Sequence, residues 1–348
     1  MTTPRHVLVF RFSALGDVAM TLPVLKLLLL QFPQLKLTFV SNRLFLPLFA
    51  DIDRLHFHSA DLTGKHKGIK GLYILYNELK QQYDFDAIAD LHQVLRTRAI
   101  RTFFAFSPAR VAVIDKGRKD KKVLTRKGNK LLTQLPSTFE RYAEVFAKLG
   151  LPVKLEEGFI PFKISTDEDH PFQQLKHQGY RLIGVAPFAK HDEKMYPAGK
   201  MQELVRQLLQ LNKVKVFLFG GGKKESGLLQ QWEKLVPGVE TVSGKMSLGK
   251  ELEYISRLDV MVSMDSANMH LASLFGIPVI SIWGATHPWL GFYGWGQSLV
   301  NAVQADLFCR PCSVFGNKTC YRGNLECMTS IKPETVYQKV RKVLQLQD

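Results

Sequence analysis

Short apolar runs alternate with amphipathic stretches along most of this chain. Residues 7–12 form an apolar run at the N-terminus and are predicted to be a strand, and residues 17–32 a helix. Residues 35–40, 86–91 and 110–114 read as further strands. A helix is predicted over 138–149, closed by Gly150 and Pro152. Residues 158–168, with Pro161 and the start of a polar run from Ser165, read as a linker. The pattern then restarts. Strands are predicted over 181–186, 215–219, 260–263 and 278–283, and helices over 201–211, 225–235, 248–258 and 333–346. Continuous apolar strands alternating with helices imply parallel sheets covered on both faces, hence an α/β fold. At 348 residues the chain exceeds one ordinary core and suits two such domains.

Composition narrows the class. A hydrophobic fraction of 46% with 22% charged residues excludes a disordered chain. The excess of 47 basic over 31 acidic residues gives +16, which implies an anionic partner: a phosphorylated substrate, an acidic membrane face or a nucleic acid. Residues 116–130 carry eight of the basic side chains against Asp120 alone. Such a run is ordinarily a solvated loop. It is also suited to acidic lipid, where each basic side chain contributes roughly 1 kcal/mol. Nucleic acid is not expected, because aromatic interleaving and a recognised binding module are both missing. The first strand is preceded by no cleavable leader, and the apolar run 18–30 is broken by Pro23 and Lys26, too short to span a bilayer. A cytosolic protein that rests on the inner membrane face is expected.

The four cysteines, Cys309, Cys312, Cys320 and Cys327, fall in one C-terminal region. Their spacing differs from that of a standard zinc ribbon. Reduced thiols or a reversible bridge are favoured over a structural zinc.

Five segments hold candidate chemistry. In Arg11-Phe12-Ser13-Ala14-Leu15-Gly16-Asp17 a strand ends, a glycine turns and an acid opens a helix. Asp17 is then either an N-cap or a general base kept ionised by the helix dipole. Lys190 and Lys194, in the charged loop after the 181–186 strand, suit a diphosphate; charge alone would make that loop plain surface. Gly220-Gly221-Gly222 precedes Glu225, which either accepts from ribose hydroxyls or merely opens a helix, and the spacing is not that of a Walker ATPase. His92 and Arg96 follow the 86–91 strand, where they bind an acceptor's phosphate or carboxylate or lie on a helix surface. Met264-Asp265-Ser266-Ala267-Asn268-Met269-His270 is the most informative run: a buried strand ends in a polar pair and a small residue at a helix start, the usual phosphate seat of doubly wound sheets.

Taken in order, Phe12-Ser13-Ala14-Leu15-Gly16-Asp17, Asp90-Leu91-His92 with Arg96, Lys194-Met195-Tyr196-Pro197, Asp265 to Ala272 and the tail Cys327-Met328 with Ile331 to Val336 resemble the lipopolysaccharide heptosyltransferases of glycosyltransferase family 9. The resemblance covers nearly the whole chain. It implies a GT-B fold, two Rossmann-like doubly wound domains facing across a cleft: an acceptor domain over 1–165, a nucleotide-sugar domain over 170–330, and a last helix, 333–348, packing back on the first domain. It implies inverting transfer of a heptose from an ADP-sugar to an anionic glycolipid. Asp17 would be the base, with Ser13, His92 and Arg96 at the acceptor. Lys194 and Lys190 would meet the diphosphate, Asp265, Ser266 and Ala267 would surround the phosphates with His270 one turn on, and Glu225 and Met246 would hold the nucleoside. No metal ion is implied, since a lysine and a helix dipole suffice for the leaving group. Ala267 stands where relatives often carry glycine, and Ala189-Lys190 where they show a hydroxyl pair. Another GT-B enzyme, such as a nucleotide-sugar epimerase or a different glycan transferase, and a non-catalytic basic nucleotide- or nucleic-acid-binding protein remain alternatives.

Overall fold

Eleven strands build two separate parallel sheets in the computed structural model, which describes residues 3–156, 158–163, 167–242, 244 and 246–346. The first sheet uses β1 (His6–Phe10), β2 (Lys36–Ser41), β3 (Leu55–Ser59), β4 (Ala87–Asp90) and β5 (Arg110–Val113), in the order β3-β2-β1-β4-β5. Its helices are α1 (Leu15–Ala19), α2 (Thr21–Gln31), α3 (Gly68–Gln82), α4 (Leu95–Phe103) and α6 (Thr138–Lys148), with α5 (Arg118–Leu124) between the last two in sequence. The second sheet uses β6 (Arg181–Ala186), β7 (Val214–Leu218), β8 (Val239–Thr241), β9 (Val260–Met264), β10 (Val279–Trp283) and β11 (Ala302–Gln304), in the order β11-β10-β9-β6-β7-β8. Around it run α7 (Pro171–His177), α8 (Ala198–Leu209), α9 (Gly222–Leu235), α10 (Leu248–Ile255), α11 (Ala267–Leu274), α12 (Glu326–Thr329) and α13 (Pro333–Leu344).

The central strands are apolar on both faces because helices cover both. Val7 to Phe10 are fully buried, and so is every residue of β9. In the first unit Leu8 and Phe10 pack with Leu72, Leu75 and Leu79 of α3 and Ile100 of α4. In the second, Val262 and Ile280 pack with Met201, Leu204 and Leu208 of α8.

Each strand order reverses once, between β1 and β4 in the first sheet and between β6 and β9 in the second. At such a reversal the flanking connections leave in opposite directions and open a crevice at the strands' carboxyl ends, where ligands of open α/β sheets bind.

The chain divides into two compact units, Met1–Lys116 with Thr138–Phe159, and Gly117–Ser137 with Ile160–Asp348. Two expectations change here. Residues 117–137 do not stay with the first unit, because Leu124 and Leu135 share a small core with Leu290, and the Leu135 N–H donates to Trp289 O at 3.0 Å. The basic run is consequently not a solvated loop throughout: Lys121 of α5 is buried, its ammonium 4.1 Å from the Phe292 ring centroid. The last helix, expected against the first domain, belongs to the second unit. Val336, Val340 and Leu344 of α13, one face at four-residue spacing, close over Val262, Ile280 and α8 in the second unit. Part of the expected linker, residues 164–166, lies outside the described residues.

Smaller differences concern element bounds. The helix expected over 17–32 is two, α1 and α2, with Met20 between them. Three elements of the first unit, β3, α3 and α4, escape the apolar pattern, as does α5 of the second. No helix among the described residues is long and apolar enough to cross a membrane.

Candidate active site

The first group of candidates gathers at the β1–β4 reversal. β1 ends at Phe10, and the next residue, Arg11, turns its side chain inward. One guanidinium nitrogen donates to Leu91 O at 2.8 Å, just past β4, and another lies 2.6 Å from Asp17 Oδ2. Burial opposes the guanidinium charge, but Tyr142, Asp17 and Asp90 outweigh it and raise its proton affinity above the ordinary arginine value. Asp17 is therefore not an N-cap. Ala14 holds that position, and Asp17, two residues into α1, reaches back so that Oδ2 accepts the Ala14 N–H at 3.3 Å. The Tyr142 hydroxyl of α6 donates to the Asp17 carbonyl at 3.2 Å; burial raises the phenol's pKa, so it remains a donor. The result is an aspartate whose backbone and one carboxylate oxygen are fixed while its side chain stays 37% exposed. That is how a base must be presented: oriented by the protein, open to substrate.

His92 is placed by Asp90, whose fully buried Oδ1 accepts the N–H groups of His92 and Gln93 at 2.9 and 2.7 Å, while Arg101 pairs with Oδ2 at 2.9 Å. His92 Nδ1 accepts the Phe12 N–H at 3.3 Å, which assigns the ring proton to Nε2. Burial, helped by the nearby Arg11 and Lys116 charges, pulls its pKa down to about 3. His92 thus presents a neutral N–H rather than a charge. Ser13 is exposed in the loop after β1, and Arg96 is exposed on the first turn of α4.

The neutral His92 makes stability pH-dependent. Unfolded, it takes a proton near pH 6.5; folded, it refuses one until about pH 3. Its contribution is complete above 6.5 and is lost progressively as pH falls from there toward 3. The urea midpoint is expected to drop between pH 7.5 and 5.0, and to drop less in His92→Asn, which keeps an acceptor for Phe12. An equal drop in both proteins rules this out.

The second group gathers at the β6–β9 reversal. Lys194 closes the 3₁₀ turn Asp192–Lys194 after β6, and its ammonium lies 3.2 Å from Asp265 Oδ2 at the end of β9. Thr286 Oγ1 donates to the same oxygen at 2.9 Å. Ser266 is the N-cap of α11, yet its hydroxyl does not cap the helix; it lies 3.1 Å from Ser263 Oγ. Ala267 opens α11, and His270 is buried one turn in. A half-buried lysine beside a helix N-terminus at a strand-order reversal is suited to phosphate oxygens. Lys190 is exposed further up the same loop.

Glu225 stands in the first turn of α9, after β7, its Oε2 accepting the Gly221 N–H at 2.8 Å. Gly244, two residues before Met246, lies against this turn: a Cβ on it would fall 2.5 Å from Ser226 Oγ. Burial, with the Glu225 charge nearby, pushes Glu251 up to about 7.

Arg310 ties the region together. Its buried guanidinium donates to Gly284 O at 2.6 Å, Ala305 O at 2.5 Å, Thr286 O at 3.1 Å and Gln304 Oε1 at 3.1 Å. The four cysteines nearby form no disulfide with one another, and Cys309 and Cys327 are buried. Among the described residues no group of histidine, cysteine and acidic side chains is arranged to hold a metal ion. Sequence reasoning gave no role to Arg11, Tyr142, Thr286 or Arg310, whose partners are distant in the chain.

Residues 74–321 match the family model described as glycosyltransferase family 9 (heptosyltransferase). The chain belongs to glycosyltransferase family 9. Within that family it is 25% identical over 200 residues to lipooligosaccharide heptosyltransferase 2 of Campylobacter jejuni, a match covering 56% of this chain and 60% of that relative's length. It is 23% identical over 345 residues to the lipopolysaccharide core heptosyltransferase OpsX of Haemophilus influenzae, covering 98% of this chain and 97% of the relative. The solved structure of E. coli heptosyltransferase WaaC with ADP superposes with a TM-score of 0.69 at 20% identity, over 97% of this chain and 99% of that one. The fold is accordingly the GT-B type expected from the family resemblance, with an α/β unit in each half.

Proposed function

We propose that this chain is an inverting glycosyltransferase that moves a heptose from an ADP-sugar to the phosphorylated core of a lipopolysaccharide acceptor. The observation that carries the reading is the placement of complementary groups at the two strand-order reversals. A fixed, exposed carboxylate stands at one, and a lysine beside a helix N-terminus stands at the other. The first is equipped to take a proton and the second to take a departing diphosphate. Relatives named as heptosyltransferases, and a structural neighbour solved with ADP, support the donor assignment.

In this reading the acceptor hydroxyl oxygen bonds to the anomeric carbon as the opposite C–O bond to the diphosphate breaks. The hydroxyl proton passes to Asp17, and the bonding electron pair leaves with ADP. Lys194 and the first amides of α11, with Asp265, Ser266, Ala267 and His270 around them, balance the charge that develops on the leaving oxygen. Lys190 supplements that charge, and Glu225 and Met246 hold the nucleoside. Ser13, His92 and Arg96 position the acceptor. The +16 net charge and the basic 116–130 run match an anionic glycolipid on the cytoplasmic membrane face, with no nucleic acid involved.

Thermal shift with nucleoside diphosphates tests the donor. At a hundredfold excess over Kd, a ligand of the folded state adds about 2.7 kcal/mol, so ADP is expected to raise Tm by roughly 5–10 °C and UDP or GDP by far less. A UDP preference would replace this reading with another GT-B activity. Salt-sensitive RNA binding with no nucleotide effect would leave only a binding protein.

A further inference from the structure

Lys194 does not choose its own path to Asp265. Gly316, in the loop that carries Cys312 and Cys320, lies directly against its stem. A Cβ built on Gly316 would fall 2.3 Å from Lys194 Cγ and 2.9 Å from Cδ. Those are the root of the side chain, not its mobile tip, and the tip is held at 3.2 Å by Asp265. The lysine stem therefore has little room to yield. The loop is fixed as well. The Ser313 and Cys312 N–H groups donate to Ala285 O at 3.1 and 3.0 Å, and the Gly316 N–H donates to the fully buried Ser313 Oγ at 3.0 Å. Ala285 in turn donates its N–H to Glu193 O at 3.2 Å, next to Lys194. One compact frame thus joins the lysine, the end of β10 and the glycine.

We propose that Gly316 is a positioning residue for the donor: it is a glycine because the Lys194 stem occupies the space a Cβ would need, and this packing sets where the ammonium meets the diphosphate. The inference rests on the reading that Lys194 binds the donor diphosphate. Gly316 also has φ +73°, so any substitution strains the backbone whatever the space. Gly323, in the same loop, separates the two effects: its φ is +75°, and nothing lies within 4 Å of the Cβ it would carry.

The test compares Gly316→Ala, Gly323→Ala, Lys194→Ala and the double variant Gly316→Ala/Lys194→Ala, by ADP titration, donor and acceptor KM, and melting temperature. Gly316→Ala is expected to weaken ADP binding and raise donor KM about tenfold, with acceptor KM unchanged. Gly323→Ala should bind ADP as the native protein does. Lys194→Ala removes the stem and makes room for the methyl group. The double variant is therefore expected to bind ADP no worse than Lys194→Ala alone and to lose no more Tm on adding the alanine than Gly323→Ala loses. That melting comparison serves even if Gly316→Ala alone does not fold. The inference is overturned if Gly316→Ala and Gly323→Ala bind ADP equally, or if the alanine costs the double variant a further tenfold. Unchanged ADP affinity in Lys194→Ala would instead overturn the assignment of the lysine itself.

Discussion

Replacing Asp17 with asparagine is expected to lower kcat for sugar transfer about a thousandfold, within the range general-base catalysis contributes, while ADP binds as before. The substitution keeps the shape of the side chain. Its amide oxygen can still accept from Ala14 N–H and face Arg11, as Oδ2 does now at 3.3 and 2.6 Å. What it loses is the ability to take a proton from the acceptor. Asp17 is 37% exposed, so solvent screens the lost ion pair and the stability cost stays near 1 kcal/mol. Donor affinity is expected to be unaffected because the residues proposed to meet the nucleotide belong to the other unit. Transfer assayed with labelled ADP-sugar, beside an ADP titration, separates the two quantities. A variant that still turns over at a tenth of the native rate would remove Asp17 from the role of base.

Arg310→Met is expected to lower Tm by roughly 10 °C. Two effects compete. A methionine of similar length avoids desolvating a charge, and replacing a buried charge with an apolar side chain is often neutral or favourable when its partners go too. Here the partners remain. Gly284 O, Thr286 O and Ala305 O are main-chain carbonyls that no side-chain substitution removes, and each unsatisfied buried acceptor costs about 1–3 kcal/mol. Allowing for relaxation and incoming water, the sum is about 3–5 kcal/mol, and each kcal/mol moves Tm by roughly 2–4 °C in a unit of this size. Thr286, which donates to Asp265, sits on one of those carbonyls, so ADP affinity is expected to fall with stability. A calorimetric Tm within 2 °C of native would show that water substitutes for the guanidinium.

The four central strands of the second unit, β6, β7, β9 and β10, were readable because they are buried almost throughout, whereas the three-residue edge strands β8 and β11 were not read. Residues such as Val260 to Met264 have no polar alternation to confuse the pattern, and the residues after each strand fall at ligand-binding edges by topology alone. β3 was hidden for the opposite reason: Leu55-His56-Phe57-His58-Ser59 mixes histidines into an edge strand with only His58 well buried. α5 was hidden because lysines announce solvent, and the Phe292 ring that meets the buried Lys121 lies far along the chain. The same distance concealed Arg11. A cation after an apolar strand looks like surface until Leu91 O and Asp17 are seen to converge on it. The amphipathic face of α13 was visible as Val336, Val340 and Leu344, but a face names no partner, and Val262 and Ile280 of the second sheet are what it covers. For Asp17 the N-cap alternative failed, because Ala14 holds the cap and Asp17 reaches back to it from the third helical position.

The excursion made by Gly117–Ser137 bears on how this molecule can be dissected. The backbone passes from one body to the other at 116/117, returns at 137/138 and leaves again at 159/160. No single pair of genetic scissors can therefore release both halves intact. A fragment stopped at 159 takes Leu124 and Leu135 away from Leu290, and its complement begins with that seat bare. Either half can be made whole only by excising or transplanting the intervening piece, so the two bodies are inherited, and synthesised, together.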